Sequence, residues 1–172
     1  ALKNLNKVFP SKNLKQKKII INRMWFHFGR VIGEYPHLEK INALGSENIT
    51  IEGLENLTGP LKKNKNCLFF SAHLGNWELT SHPLTELGYT ISFIYRPPNN
   101  PFVDNLLRRI HKKYGVNLIR KGPSGAKECI KVLKINKGNI GMLMDQKMND
   151  GIRANFFGYE VMTASAIARF AI

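Results

Sequence analysis

The sequence predicts an α/β fold, a largely parallel sheet flanked by helices and preceded by an amphipathic N-terminal helix, and three observations carry that prediction. From about residue 49 onward, short apolar runs alternate with longer segments of helical periodicity, the pattern of strands joined by helical crossovers. Helix-start signals stand at Asn76, at Asn100-Pro101 and at Pro123-Ser124, where a side-chain acceptor or a fixed proline φ suits the first turn. Ahead of that region, Ile20, Met24, Phe28, Val31 and Ile32 recur at helical spacing among basic residues, which marks one apolar face.

The N-terminal helix is expected over residues 14–35, and Pro36 ends it. Its apolar face suits either the protein core or a membrane surface. Trp25 and Phe26 beside Arg23 and Arg30 fit the interfacial choice. Strands are then expected at 49–52, 67–71, 90–95, 116–119 and 139–144, with helices at 55–62, 76–87, 101–114 and 124–135. Residues 163–171 read as a further helix, and Lys62-Lys63-Asn64-Lys65-Asn66 as a solvated loop. No internal repeat or low-complexity segment interrupts the pattern.

A chain of 172 residues with 43% hydrophobic side chains can bury a single sizeable core. One domain over 1–172 is expected, with a helical segment at 1–36 and an α/β core at 48–172. No run approaches the roughly 20 apolar residues of a spanning helix, and no signal peptide is visible. Lys plus Arg number 26 against 12 for Asp plus Glu, net +14. Lys3, Lys7, Lys12, Lys15, Lys17, Lys18, Arg23 and Arg30 all precede the first acid, Glu34. Such an excess favours anionic company: nucleic acid, anionic lipid headgroups or an acidic carrier protein. The two thiols, Cys67 and Cys129, form neither a disulfide framework nor a metal spacing, which suits a reducing compartment.

The chemistry-bearing stretch is His73-Leu74-Gly75-Asn76-Trp77-Glu78, directly after the apolar run Cys67-Leu68-Phe69-Phe70-Ser71-Ala72. On one continuous helix, residues five apart diverge by roughly 140°. His73 and Glu78 converge only if His73 sits on a turn and Glu78 in the first helical turn, with Gly75 allowing the bend and Asn76 capping. A carboxylate so placed holds one imidazole nitrogen and leaves the other as a base toward a hydroxyl. Taken alone, a histidine there also fits a structural role.

His73, Arg96 and Asp145 each follow an apolar strand, and in an open parallel sheet such ends share one ligand-binding edge. Arg96 can grip a phosphate or carboxylate, or else hold the Pro97-Pro98 turn. Asp145 can orient Arg96 or an acceptor, or else cap a turn. Arg120 stands in a similar situation after its own strand. Lys121-Gly122-Pro123-Ser124-Gly125 lacks phosphate-loop spacing and reads as a helix-start turn. His27, His37, His82 and His111 have no partners at telling spacing and fit surface or core roles. No Gly-x-Ser-x-Gly elbow and no metal-ligand cluster occurs, so serine-nucleophile hydrolysis and metal catalysis lose support.

His73, four intervening residues and Glu78 match the His-x4-acid motif of the glycerolipid acyltransferase superfamily. The phrase Phe70-Ser71-Ala72-His73-Leu74-Gly75-Asn76-Trp77-Glu78 resembles its lipid A late acyltransferase branch. Gly53-Leu54-Glu55-Asn56-Leu57, Tyr95-Arg96-Pro97 and Asp145-Gln146 resemble further blocks of that branch in the same order. The resemblance implies transfer of a fatty acyl chain from an acyl thioester, on acyl carrier protein or acyl-CoA, to a hydroxyl of a lipid A precursor. His73 and Glu78 would be catalytic; Arg96, Arg120, Asp145 and Gln146 would bind substrate; neither metal nor cofactor is implied. It also implies work on an anionic membrane, at the cytoplasmic face of the bacterial inner membrane, without nucleic acid. Family members are longer and carry an N-terminal anchor, so a fragment at both ends is expected. The remaining alternatives are acylation of another glycolipid or of glycerol phosphate, and a catalytically silent basic module bound to membrane or nucleic acid.

Overall fold

The computed structural model describes residues 1–135 and 138–172. Helix α1 (Leu2–Val8) leads into α2 (Leu14–Glu34). A capping box starts α2: Asn13 accepts from the Gln16 backbone N–H at 2.9 Å, and Gln16 accepts from the Asn13 backbone N–H at 3.0 Å, which satisfies two otherwise orphaned donors. Pro36 follows in a 3₁₀ turn, Tyr35–Lys40, so the α-helix stops where the sequence places its end. No helix among the described residues is long and apolar enough to cross a membrane.

Helix α3 (Leu54–Lys62) precedes four strands, β1 (Leu68–Ser71), β2 (Ile91–Tyr95), β3 (Val116–Arg120) and β4 (Asn139–Leu143). They form one sheet in the order β1-β4-β2-β3, parallel throughout. Between them run α4 (His82–Glu86), α5 (Pro101–Lys113) and α6 (Pro123–Lys134). Asn100 caps α5 by accepting from the Phe102 N–H at 2.9 Å, with Pro101 in the first turn. The sheet buries a core on each face, because alternate strand residues point to opposite sides. Leu61, Leu84, Ile91 and Val116 pack on the α3 and α4 side. Ile119, Cys129, Ile140 and Met142 pack on the other, beneath α6 and α7 (Ala166–Ala171). Gly125 lets α6 approach β3: a Cβ there would lie 1.8 Å from the Arg120 carbonyl oxygen.

Two expectations are corrected, and one element is added. Residues 49–52 form no strand; they run beside the sheet unpaired, and Ile51 and Glu52 line an apolar cavity under β1 instead. The helix expected at 76–87 is broken into a 3₁₀ turn, Trp77–Ser81, and the short α4. Pro83, in the first turn of α4, has no N–H to give and clashes with the carbonyl four residues back. An antiparallel hairpin, β5 (Lys147–Phe156) and β6 (Tyr159–Thr163), was not anticipated. Its two-residue turn, Phe157-Gly158, has φ of 50° and 76°. Such a turn ordinarily announces itself by Asn or Asp at the first position, and a phenylalanine hides it.

Candidate active site

The shared register aligns the carboxyl ends of β1, β4, β2 and β3 along one edge of the sheet. His73 stands past β1, Asp145 past β4, Arg96 past β2, and Arg120 ends β3. Because β4 lies beside β1, Asp145 is the immediate neighbour of His73. Its Oδ1 meets His73 Nδ1 at 2.8 Å, and its Oδ2 accepts from the His73 backbone N–H at 3.0 Å. Two contacts from one carboxylate fix both the backbone and the ring. With Nδ1–H donated to Asp145, the tautomer leaves a lone pair on Nε2. Gln146 brings its side-chain amide nitrogen to 3.4 Å from that Nε2. Burial opposes the charge on Asp145, but the hydrogen bonds from the His73 ring and backbone outweigh it and hold its pKa below the ordinary value.

Glu78 is not placed where the sequence put it. Its Oε2 faces His111 Nε2 at 2.8 Å, and its Oε1 accepts from the Tyr35 hydroxyl at 2.6 Å and from Trp77 Nε1–H at 3.0 Å. The carboxylate at the His73 imidazole is therefore Asp145, expected at the substrate, and not Glu78, whose own imidazole partner is His111. The reason is local: in the 3₁₀ turn that replaces a regular helix start, Glu78 points back toward α5 and Tyr35. Burial again opposes its charge and is outweighed, by His111 above all and then by Tyr35 and Trp77, so its pKa is lowered. Burial and the adjacent Glu78 push the Tyr35 hydroxyl far up, which keeps it a donor.

The loop between His73 and Glu78 is held from outside by α2 and its continuation. His27 Nε2 lies 2.9 Å from the Gly75 carbonyl oxygen, and Asn76 Nδ2–H donates to Glu34 at 2.5 Å. Phe28 stacks on Trp77 at 6.2 Å, and Trp77 in turn sets its ring edge-on to His73 at 5.1 Å. Asn76 caps the turn by accepting from the Glu78 N–H, and Gly75 takes φ of 54°, as the bend requires. The apolar stripe thus splits. Val31 is buried, and Phe28 stacks on the loop while keeping exposed surface; Met24 and Ile32 stay exposed, as do the neighbouring Trp25 and Phe26.

Arg96 is exposed on the edge two strands from His73, roughly 10 Å away at ordinary strand spacing. Arg120 is corrected from a free binding group: its Nη2 bonds Asp104 Oδ2 at 2.6 Å, and Tyr95 donates to the same carboxylate at 2.5 Å. Asp104 is buried on α5, so Arg120 and Tyr95 tie that helix to the sheet. His82 is a core residue bonded to the Leu38 carbonyl at 2.9 Å. His111 has the partner that sequence spacing did not offer, 33 residues away. The available signal was its place seven residues after Asp104, on the same inward face of α5. Among the described residues, no group of three or more His, Cys, Asp or Glu side chains could hold a metal ion.

An apolar cavity of about 260 Å³ lies on the α3 and α4 side of the sheet, with Leu57, Phe69, Leu84 and Phe93 in its wall. Ser71 and Thr80, on either side of the His73 loop, complete its rim. The site therefore combines a histidine held at Nδ1 by Asp145, with the Gln146 amide near its Nε2, and an apolar cavity whose lining reaches Ser71 and Thr80 on either side of the His73 loop. No curated protein matches the chain. A family profile does, that of the bacterial lipid A biosynthesis acyltransferases, and it covers residues 1–172. With the match spanning the whole sequence, this chain belongs to the bacterial lipid A biosynthesis acyltransferase family.

Proposed function

We propose that the protein transfers a fatty acyl chain from a thioester, carried by acyl carrier protein, to a hydroxyl of a lipid A precursor, with His73 as general base. The observation that carries the reading is the grip of Asp145 on His73 Nδ1 at 2.8 Å, which aims the other ring nitrogen outward from the sheet edge. His73 Nε2 takes the hydroxyl proton as the oxygen attacks the thioester carbonyl. The tetrahedral oxyanion then collapses, the C–S bond breaks, and the leaving thiolate receives that proton from the imidazolium. Asp145 stabilises the imidazolium between these steps. The Gln146 amide, 3.4 Å from Nε2, is the nearest side-chain donor for the oxyanion. General base assistance typically supplies about 10²–10⁴-fold, and positioning and oxyanion stabilisation supply the remainder.

The acyl chain is assigned to the cavity under β1, where each buried methylene contributes about 0.8 kcal/mol. Arg96 serves the anionic headgroup of the acceptor. The exposed Met24, Trp25 and Phe26, flanked by Arg23 and Arg30, support residence on an anionic membrane surface, at the cytoplasmic face of the bacterial inner membrane. The test is transfer of a labelled acyl group from carrier protein to extracted lipid A precursor, run beside glycerol phosphate as acceptor. Transfer to the precursor that falls at least about 10²-fold in His73→Ala is expected. Undiminished transfer by the purified variant would overturn the assignment of the base.

A further inference from the structure

The molecule has a second concave surface, away from the cavity under β1. A groove of about 720 Å³ runs between the outward face of α5 and the free side of β3. Phe102 and Leu106 supply apolar surface at 83% and 50% exposure, and Arg108, Arg109 and Lys112 line it with positive charge. Asp104 attracts Arg108 electrostatically, whereas no acid is set against Arg109 or Lys112 among the described residues. Asp104, the one acid of α5, points inward to Arg120 and Tyr95, and no ion pair engages Arg108, Arg109 or Lys112 among the described residues. β3 is the last strand in the sheet order, so its outer backbone groups are open to a partner.

We propose that this groove docks the acidic protein that carries the acyl thioester. The inference rests on the reading of the protein as a carrier-dependent acyltransferase and adds the place where the carrier binds. Charge complementarity selects an acidic partner and speeds its encounter. The groove is concave, with a protruding Phe102 and an open strand edge, which suits a folded chain with apolar side chains and backbone groups to offer. A planar bilayer does not enter it. The position is compatible: α5 begins at the sheet edge that bears His73 and runs back along β3, so the groove spreads from Phe102 near that edge toward Val116 at the other, and three strand spacings, roughly 14 Å, are the lateral part of the separation from β1. A thioester on a flexible arm of that reach or more passes from the groove to the base.

The test uses the full chain and its Arg109→Glu/Lys112→Glu variant, neither residue belonging to the catalytic machinery. Binding is followed by fluorescence anisotropy of labelled, acyl-loaded acyl carrier protein at low and high salt, beside anionic vesicles and a single-stranded oligonucleotide. Turnover is followed with the carrier-borne donor and with acyl-CoA. The expected result is salt-sensitive carrier binding weakened at least about tenfold by the charge reversal. KM for the carrier-borne donor should rise to match, with kcat and the acyl-CoA reaction unchanged. Carrier binding that is absent, or equal in the two proteins, overturns the proposal. So does a variant defective with both donors alike, or one that loses vesicle or oligonucleotide binding while keeping the carrier. Carrier binding that the variant loses, in a protein that transfers from neither donor, leaves the groove standing and removes the proposed activity instead.

Discussion

Two histidine–carboxylate pairs of the same length, 2.8 Å, stand on either side of Trp77, and they differ in almost everything else. In His73–Asp145 both side chains keep about a third of their exposure, 30% and 34%; in His111–Glu78 the values are 9% and 12%. Only Nδ1 of His73 has a short partner, its Nε2 meeting just the exposed Gln146 amide at 3.4 Å, whereas His111 has two short ones, the second at 2.8 Å from the Leu107 carbonyl. An imidazole bonded on both sides cannot accept a proton from a substrate. The comparison teaches that a short distance to a carboxylate does not make a base; a free, reachable nitrogen does. His111–Glu78 instead ties α5, the 3₁₀ turn and Tyr35 together behind the His73 loop.

The sharpest way to break the comparison is to truncate each histidine. His73→Ala should lose at least about 10²-fold in turnover with a thermal midpoint close to that of the parent. His111→Ala removes one of three side-chain hydrogen bonds to the buried Glu78 carboxylate and opens a cavity beside it, and the lost hydrogen bond to a charged group alone costs about 1.5–3 kcal/mol. Thermal denaturation monitored by circular dichroism distinguishes the two: a large drop for His111→Ala and a small one for His73→Ala. Equal stability losses would erase the proposed division of labour.

The pairs should also separate in acid. Glu78 has its pKa lowered in the folded state from an ordinary 4.5, so its ionisation stabilises the fold fully above that value, and the contribution is lost as pH falls through the lowered one. Glu78→Gln removes a group that resists protonation in the folded state. Its unfolding free energy, measured by urea titration between pH 6 and pH 3, should therefore fall less steeply than that of the parent. Asp145, also lowered but more exposed, should give the smaller change in slope on replacement by Asn. A steeper slope in Glu78→Gln than in the parent would reverse the sign of the argument.

A smaller effect is expected where the pairs communicate. Trp77→Phe keeps the ring against His73 and Phe28 but removes the N–H given to Glu78. A loss of about 1 kcal/mol in stability should come with a turnover change much smaller than that of His73→Ala. A variant as inactive as His73→Ala would place the indole N–H in the chemistry itself.

The four parallel strands and the helices between them were legible because apolar runs and capping residues are local signals: Asn76, Asn100 and Pro101 act where the sequence places them. The sheet edge was legible too, since a parallel sheet gathers His73, Arg96 and Asp145 whatever the strand order. The order itself was not. Only the placement of β4 beside β1 makes Asp145, 72 residues from His73, its nearest carboxylate. Glu78, five residues away, looked closer on the chain, and its turn toward His111 follows from a helix broken ahead of Pro83. The hairpin after β4 escaped because a phenylalanine at positive φ occupies its turn. The family followed from short ordered motifs, while the pairing of charges depended on strand order.

The central claim is that Asp145, and not Glu78, orients the catalytic imidazole. It is tested most directly by kcat for acyl transfer in Asp145→Asn and Glu78→Gln, measured side by side on folded protein. Asn cannot balance an imidazolium, so Asp145→Asn should lower kcat at least about tenfold. Gln still accepts from Tyr35 and Trp77, so Glu78→Gln should stay within about threefold of the parent. The reverse order, with Glu78→Gln the more damaged in kcat at unchanged stability, would contradict the account.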